Sequence, residues 1–185
     1  LPFVWVLPIL LITGFCFLFS AKKLPLFVTL ENMEFLCDEM LKGLGRWLRA
    51  AGYDVAVEPD GTSDKVLLER ARDEGRILLT RDRRFAEQMS NSEKVVLLDC
   101  NQEDDCIEEL SEKLQVNWLY KPFTRCLACN TPLIEGTSEQ WDQVPDFSRQ
   151  RATRVLYCPS CEQLFWDGSH VKRMKERLER AAGVA

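Results

Sequence analysis

From Met33 onward, short apolar runs alternate with longer stretches whose apolar residues recur at helical spacing. EFLC (34–37) reads as a strand. DEMLKGLGRWLRAAG (38–52) places Leu41, Leu44, Leu48 and Ala51 on one helical face and closes on Gly52, a residue suited to the position after a helix. YDVAV (53–57) alternates like a second strand, EPDGTS (58–63) turns, and DKVLLERARDEG (64–75) turns Leu67, Leu68 and Ala71 inward. RILLT (76–80) is a third strand, RRFAEQM (83–89) a short helix, and KVVLL (94–98) a fourth strand. EDDCIEELSEKL (103–114) is a helix built on Ile107, Leu110 and Leu114.

Strands separated by helices imply a parallel α/β sheet with right-handed crossovers. In such open sheets, sites form beyond the carboxyl ends of the strands. Asp38 follows the first strand, Asp82 the third, and Asp99 with Asn101 the fourth, while Asp64 opens the helix after the second. Four carboxylates therefore converge on one rim from four places in the chain. Like charges at close range need a cation, or a retained proton, to coexist. Hard oxygen ligands suit Mg²⁺ or Mn²⁺, which share substrate phosphates and activate water, so the chemistry expected is phosphodiester hydrolysis.

Each acid also has a plainer reading. Asp64 suits the first turn of a helix, Asp82 a turn, and Asp38 a cap on the helix that follows. Basic residues lie close by: Lys42, Arg46 and Arg49 share a face of the first helix, and Arg81, Arg83 and Arg84 flank Asp82. These are candidate contacts to a nucleic-acid backbone.

Charge qualifies that picture. Residues 33–120 carry 12 Lys and Arg against 20 Asp and Glu, whereas residues 121–185 carry 10 against 8, within an overall net charge of −5. An acidic body with a mildly basic tail does not indicate nucleic-acid binding through bulk charge, so local patches must supply it. Three segments are expected: 1–32, 33–120 and 121–185. In the last, Cys126/Cys129 and Cys158/Cys161 form two C-x₂-C units 28 residues apart. Four thiolates so paired suit Zn²⁺ in a closed structural site. Cys16, Cys37, Cys100 and Cys106 are scattered, which reads as leftover thiols in a reducing compartment.

FLCDEMLKGLGRWLRAAGYDV, the Asp64 helix and RILLTRDRRF together resemble the Mut-seven C-terminal RNase domain, a PIN-like nuclease family. The resemblance covers about residues 33–170. It implies a small parallel sheet, a Mg²⁺- or Mn²⁺-dependent ribonuclease activity, and a zinc ribbon after the PIN-like part, with FWDGSH (165–170) similar to the tail motif. Asp38 matches the first acid, Asp64 is similar to the second, and Thr80-x-Asp82 matches the third; Asp99 is the candidate fourth. Thr80 would orient the loop or a water. The alternative is a non-catalytic RNA-binding or ribosome-associated adaptor.

Arg149, Arg151 and Arg154 near Trp141 and Phe147 are a mixture that grips single-stranded nucleic acid. His170, the only histidine, stands at the start of a basic terminal helix and is read as structural. Residues 1–19 carry no charge and precede Lys22-Lys23, the length and flank of a membrane anchor or else a non-native extension. Either way the folded part would face a cytoplasmic compartment.

Overall fold

The computed structural model describes residues 33–83 and 94–184. The apolar segment 1–32, Arg84 and most of the short helix expected at 83–89 lie outside the described residues. Four parallel strands form the main sheet in the order β2 (Asp54–Val57), β1 (Glu34–Cys37), β3 (Ile77–Thr80), β4 (Val95–Leu97). Phe35 pairs with both Val55 and Ile77, Cys37 with Val57 and Leu79, and Leu79 with Val96. The central strands are almost entirely apolar, apart from Glu34 at one end and Thr80 at the other, because both faces are covered.

Alternation assigns each residue a face. Phe35, Cys37, Ile77 and Leu79 point into the larger core, with α1 (Lys42–Ala51), α3 (Glu103–Leu114) and the fully buried Trp118. Leu36 and Leu78 point the other way, onto Leu67 and Ala71 of α2 (Asp64–Asp73). Helix α1 lies tight against the sheet at Gly45, where a Cβ would come within 3.0 Å of Val57 and 3.3 Å of Cys37. It ends at Gly52, whose φ of 99° is left-handed and whose missing side chain leaves room for the Lys121 carbonyl. The chain returns there: the Lys121 and Phe123 amides donate to the carbonyls of Ala51 and Ala50.

Beyond this point lies a turn closed by Cys126 and Cys129, then an antiparallel sheet of β5 (Ile134–Glu135), β6 (Val155–Tyr157) and β7 (Leu164–Trp166). Two short helices, α4 (Ser138–Asp142) and α5 (Asp146–Arg149), fill the connection between β5 and β6. The terminal helix α6 (Ser169–Ala181) comes back to the first core, burying Met174 and Leu178 beside residues of α1 and α3. Arg177 fixes it in place, pairing with Asp104 at 2.6 Å and lying 4.2 Å over the Trp47 ring. Part of the basic face expected of this helix is therefore structural. Among the described residues no helix is long and apolar enough to cross a membrane.

Candidate functional site

The parallel register sets the acids at one edge. Backbone bonds from Glu58 to Cys37, from Asp38 to Leu79 and from Leu98 to Thr80 align the carboxyl ends of all four strands. Asp38 is 7% exposed, and its carboxylate is the organising group of this edge. Oδ1 accepts from the amides of Met40 (2.9 Å) and Leu41 (3.1 Å), and Oδ2 from the amide of Arg81 (3.0 Å). It thus caps the turn leading into α1 and clamps the end of β3 to the end of β1. An ionised carboxylate offers about four acceptor positions, so three amide bonds leave about one.

Thr80 is buried, and its hydroxyl accepts from the Asp82 amide at 3.0 Å, a local turn that fixes where the third acid leaves the strand. Asp82 and Asp64 are both exposed, the latter as the first residue of α2. Asp99 is exposed and ion-paired with Arg83, and Arg81 reaches Asn101 at 3.3 Å. Asp38, Asp64, Asp82 and Asp99 thus belong to one edge. Even so, among the described residues no three carboxylates form a group close enough to hold one ion.

One carboxylate of this edge escaped sequence reasoning. Glu58 directly follows β2, its amide bonded to the Cys37 carbonyl beside Asp38; it is buried and pairs with Arg70 of α2 while accepting from the Thr62 hydroxyl at 3.3 Å. Its position in VEPDG reads as a turn, and only its adjacency to an apolar strand hinted at burial. Glu39 has a related role, accepting from the Gly61 amide at 2.7 Å and tying the loop before Asp64 to the first helical turn.

The basic face of α1 divides in three. Lys42 pairs with Asp60, and Arg46 is exposed with no hydrogen bond or ion pair to a described residue. Arg49 departs from the expected RNA contact because it is buried. Its guanidinium donates through Nε (3.0 Å) and Nη2 (2.8 Å) to the Val55 carbonyl, and through Nη1 to the carbonyls of Ala128 (2.8 Å) and Leu127 (3.2 Å). Arg49 is a clamp between α1, β2 and the cysteine turn.

The four paired cysteines do come together. Among the described residues theirs is the one group of His, Cys, Asp or Glu side chains able to hold an ion, with all four sulfurs within 4.8 Å of one another. Cys126 lies 3.5 Å from Cys161, and Cys129 lies 3.3 Å from Cys158. Zinc–sulfur bonds of about 2.3 Å in a tetrahedron put sulfurs about 3.8 Å apart, so the quartet fits zinc in size and chemistry. Burial pushes the Cys126 thiol up, whereas hydrogen bonds with Thr131 bring Cys129 down against the effect of burial. Burial works against the Arg49 charge too, while negative charge on the metal-site cysteines Cys126 and Cys129 and on Asp54 favours it. A cation thus stands beside a site whose ligands must be anionic.

Not all remaining cysteines are leftover thiols. Cys100 and Cys106 are joined by a disulfide across the turn from β4 into α3, with Cα atoms 5.0 Å apart. Cys37 is free, and burial raises its thiol to about 12, which keeps it protonated.

A sequence profile of the Mut7-C RNAse domain matches residues 33–178, which takes in the acid-edged sheet, the cysteine quartet and most of α6. The chain belongs to the Mut7-C RNAse domain family. The family described for this Mut7-C chain is that of an RNAse domain. It is also similar to a Homo sapiens protein named exonuclease mut-7 homolog, 31% identical over 99 residues. That match covers 51% of this chain and 11% of the human protein. No solved structure matches.

Proposed function

We propose that this Mut7-C domain hydrolyses RNA phosphodiester bonds at the carboxyl edge of its parallel sheet. Asp38, Asp64 and Asp82 are assigned to a Mg²⁺ or Mn²⁺ ion, and the cysteine quartet to a structural zinc. The observation that carries this reading is the edge itself: Asp38 is pinned by three amides beside a Thr80 hydroxyl that fixes the departure of Asp82. A divalent ion, when bound, supplies water activation and neutralisation of phosphate charge. Asp38 supplies the fixed carboxylate, while Asp64 and Asp82, both exposed, supply charge that a cation and substrate can draw on. Asp99 is left out of the ligand set because it pairs with Arg83, and that pair borders the edge where a phosphate would approach. The zinc ribbon is assigned to RNA positioning.

The test is cleavage of a labelled single-stranded RNA with Mn²⁺ or Mg²⁺, comparing the natural chain with Asp82→Asn and with Asp38→Asn plus Asp82→Asn. Loss of one acid is expected to slow cleavage at least about 100-fold. Thermal unfolding is measured in parallel, because Asp38→Asn can set a side-chain NH₂ against the Arg81 amide, donor to donor. Undiminished cleavage by the double variant sinks the assignment.

The spacing of the described acids favours a second reading, a non-catalytic RNA-binding adaptor. Mn²⁺ titration separates the two: intact RNA binding with no divalent site at the edge selects the adaptor.

A further inference from the structure

Two hollows lie side by side on the ribbon, far from the carboxylates in sequence, and share one wall. The first, about 560 Å³, lies between α1, the cysteine turn, β7 and α6; its apolar lining includes Phe123, Phe165 and Trp166. The second, about 480 Å³, lies on the other side of Phe165 and Trp166 and is bounded by Phe147. Both are of a size that takes a nucleotide-sized ligand.

The charges around them are one-sided. Arg46, Arg125 and Arg154 line the first hollow, and Arg151 and Lys172 the second, against the single acid Asp167. Asp167 is already occupied, accepting from the Thr153 hydroxyl and from the amides of Thr153 and Arg154. Arg125 and Arg154 answer Asp54 and Glu135. Arg46 and Lys172 pair with no described acid, and Arg151 lies 4.4 Å over the ring of Phe147. Phe147 is 69% exposed, an aromatic face kept in solvent beside a cation.

We infer that these twin hollows bind two successive unstacked nucleotides of a single strand, with bases against the Phe147 and Phe165–Trp166 rings and phosphates on Arg46, Arg151 and Lys172. Unpaired cations interleaved with exposed aromatic faces are what a single-stranded polyanion with flat bases requires. Arg46 also gives the strand a direction. It lies one helical turn, about 6 Å, along α1 from Lys42, which stands at the acid edge. A strand seated in the hollows is thereby led toward Asp38. The inference rests on the nuclease reading only for that direction. RNA and DNA single strands share the recognised chemistry.

The experiment uses the zinc-loaded chain without Mg²⁺ or Mn²⁺, so that binding is measured apart from cleavage. Fluorescence anisotropy follows a labelled RNA decamer, a DNA decamer and an RNA duplex. The exposed-site variants Phe147→Ala and Arg46→Ala, with Arg151→Ala as a third, are each expected to raise the single-strand Kd about 5- to 100-fold. Unfolding midpoints should stay unchanged, and duplex binding should be weaker than single-strand binding. Cleavage by Phe147→Ala should recover at saturating RNA, whereas Asp82→Asn should bind RNA normally and fail to cleave. Unchanged Kd in the three variants, absent single-strand binding, or a duplex preference overturns the inference even when RNA is cleaved. Single-strand binding lost in these variants upholds it even when the natural chain cleaves nothing, and in that case only the nuclease reading falls.

Discussion

Arg49→Met is the perturbation that best separates a structural clamp from an RNA contact. Methionine keeps the apolar stem and removes every donor, leaving the Val55, Leu127 and Ala128 carbonyls without the guanidinium. The Val55 carbonyl is buried and carries most of the loss, on the order of 1–3 kcal/mol for an unsatisfied acceptor. The other two contacts are part-buried and recover water, adding roughly 1 kcal/mol together. Relief from burying a charge returns part of this. The net expectation is a loss of about 2–3 kcal/mol, a 30- to 150-fold rise in the unfolded-to-folded ratio.

A second readout tests the link to the cysteines. Arg49 offsets thiolate charge from outside the ligand set, so its removal should weaken metal binding about 10-fold, measured with Co²⁺ by its thiolate absorbance and confirmed by Zn²⁺ competition. Arg49→Lys, with one compact donor group, should fall between. Urea unfolding of the zinc-loaded chain gives the first quantity. A methionine variant within about 0.5 kcal/mol of the natural chain, with unchanged metal affinity, refutes the clamp.

Two further outcomes concern stability. Burial opposes ionisation of Asp54, but hydrogen bonds from Arg76 and Asn130 with the charges of Arg76 and Arg125 outweigh it and hold its carboxyl below the usual range. That contribution is complete above the unfolded value of about 3.9 and is lost as pH falls through the lower folded value. The stability gap between the natural chain and Asp54→Asn should therefore be widest near neutrality and narrow as pH falls below about 4; a gap constant with pH would contradict the assignment. Reducing the Cys100–Cys106 bond, which closes a loop with a sequence separation of 6, should cost about 2 kcal/mol by urea unfolding. A Cys100→Ser plus Cys106→Ser variant should then be insensitive to reductant.

What the sequence revealed depended on whether each signal was local. Apolar runs such as ILLT and alternating DVAV specify strands, and helices between them leave parallel pairing as the simple solution, so Asp38, Asp64, Asp82 and Asp99 could be assigned to one edge before any coordinates. Cysteine spacing is equally local. Arg49 was not legible, because helical periodicity cannot show that a turn almost 80 residues later covers one end of the helix. Glu58 was hidden in a turn-like string, and its burial depends on Arg70 reaching back from the next helix. Cys100 and Cys106 lack the spacing signature that marked the other four. The hollows beside β7 are half visible in the sequence: Phe147 and Arg151 stand close together in the chain, but Arg46 joins them only after the chain has folded back on α1.

The cysteine turn has one more consequence, and it concerns solubility. Strand β2 lies at one edge of the parallel sheet, and its free side would offer amide and carbonyl groups to any passing chain. Here that side is already answered. Asn130, in the turn, accepts from the Val55 amide at 3.0 Å and donates to Asp54 at 2.9 Å, while Arg49 takes the Val55 carbonyl. The cysteine turn thus works as a plug for a sticky β-edge. With the quartet loaded as proposed, stripping the metal is expected to loosen the plug and promote edge-to-edge self-association.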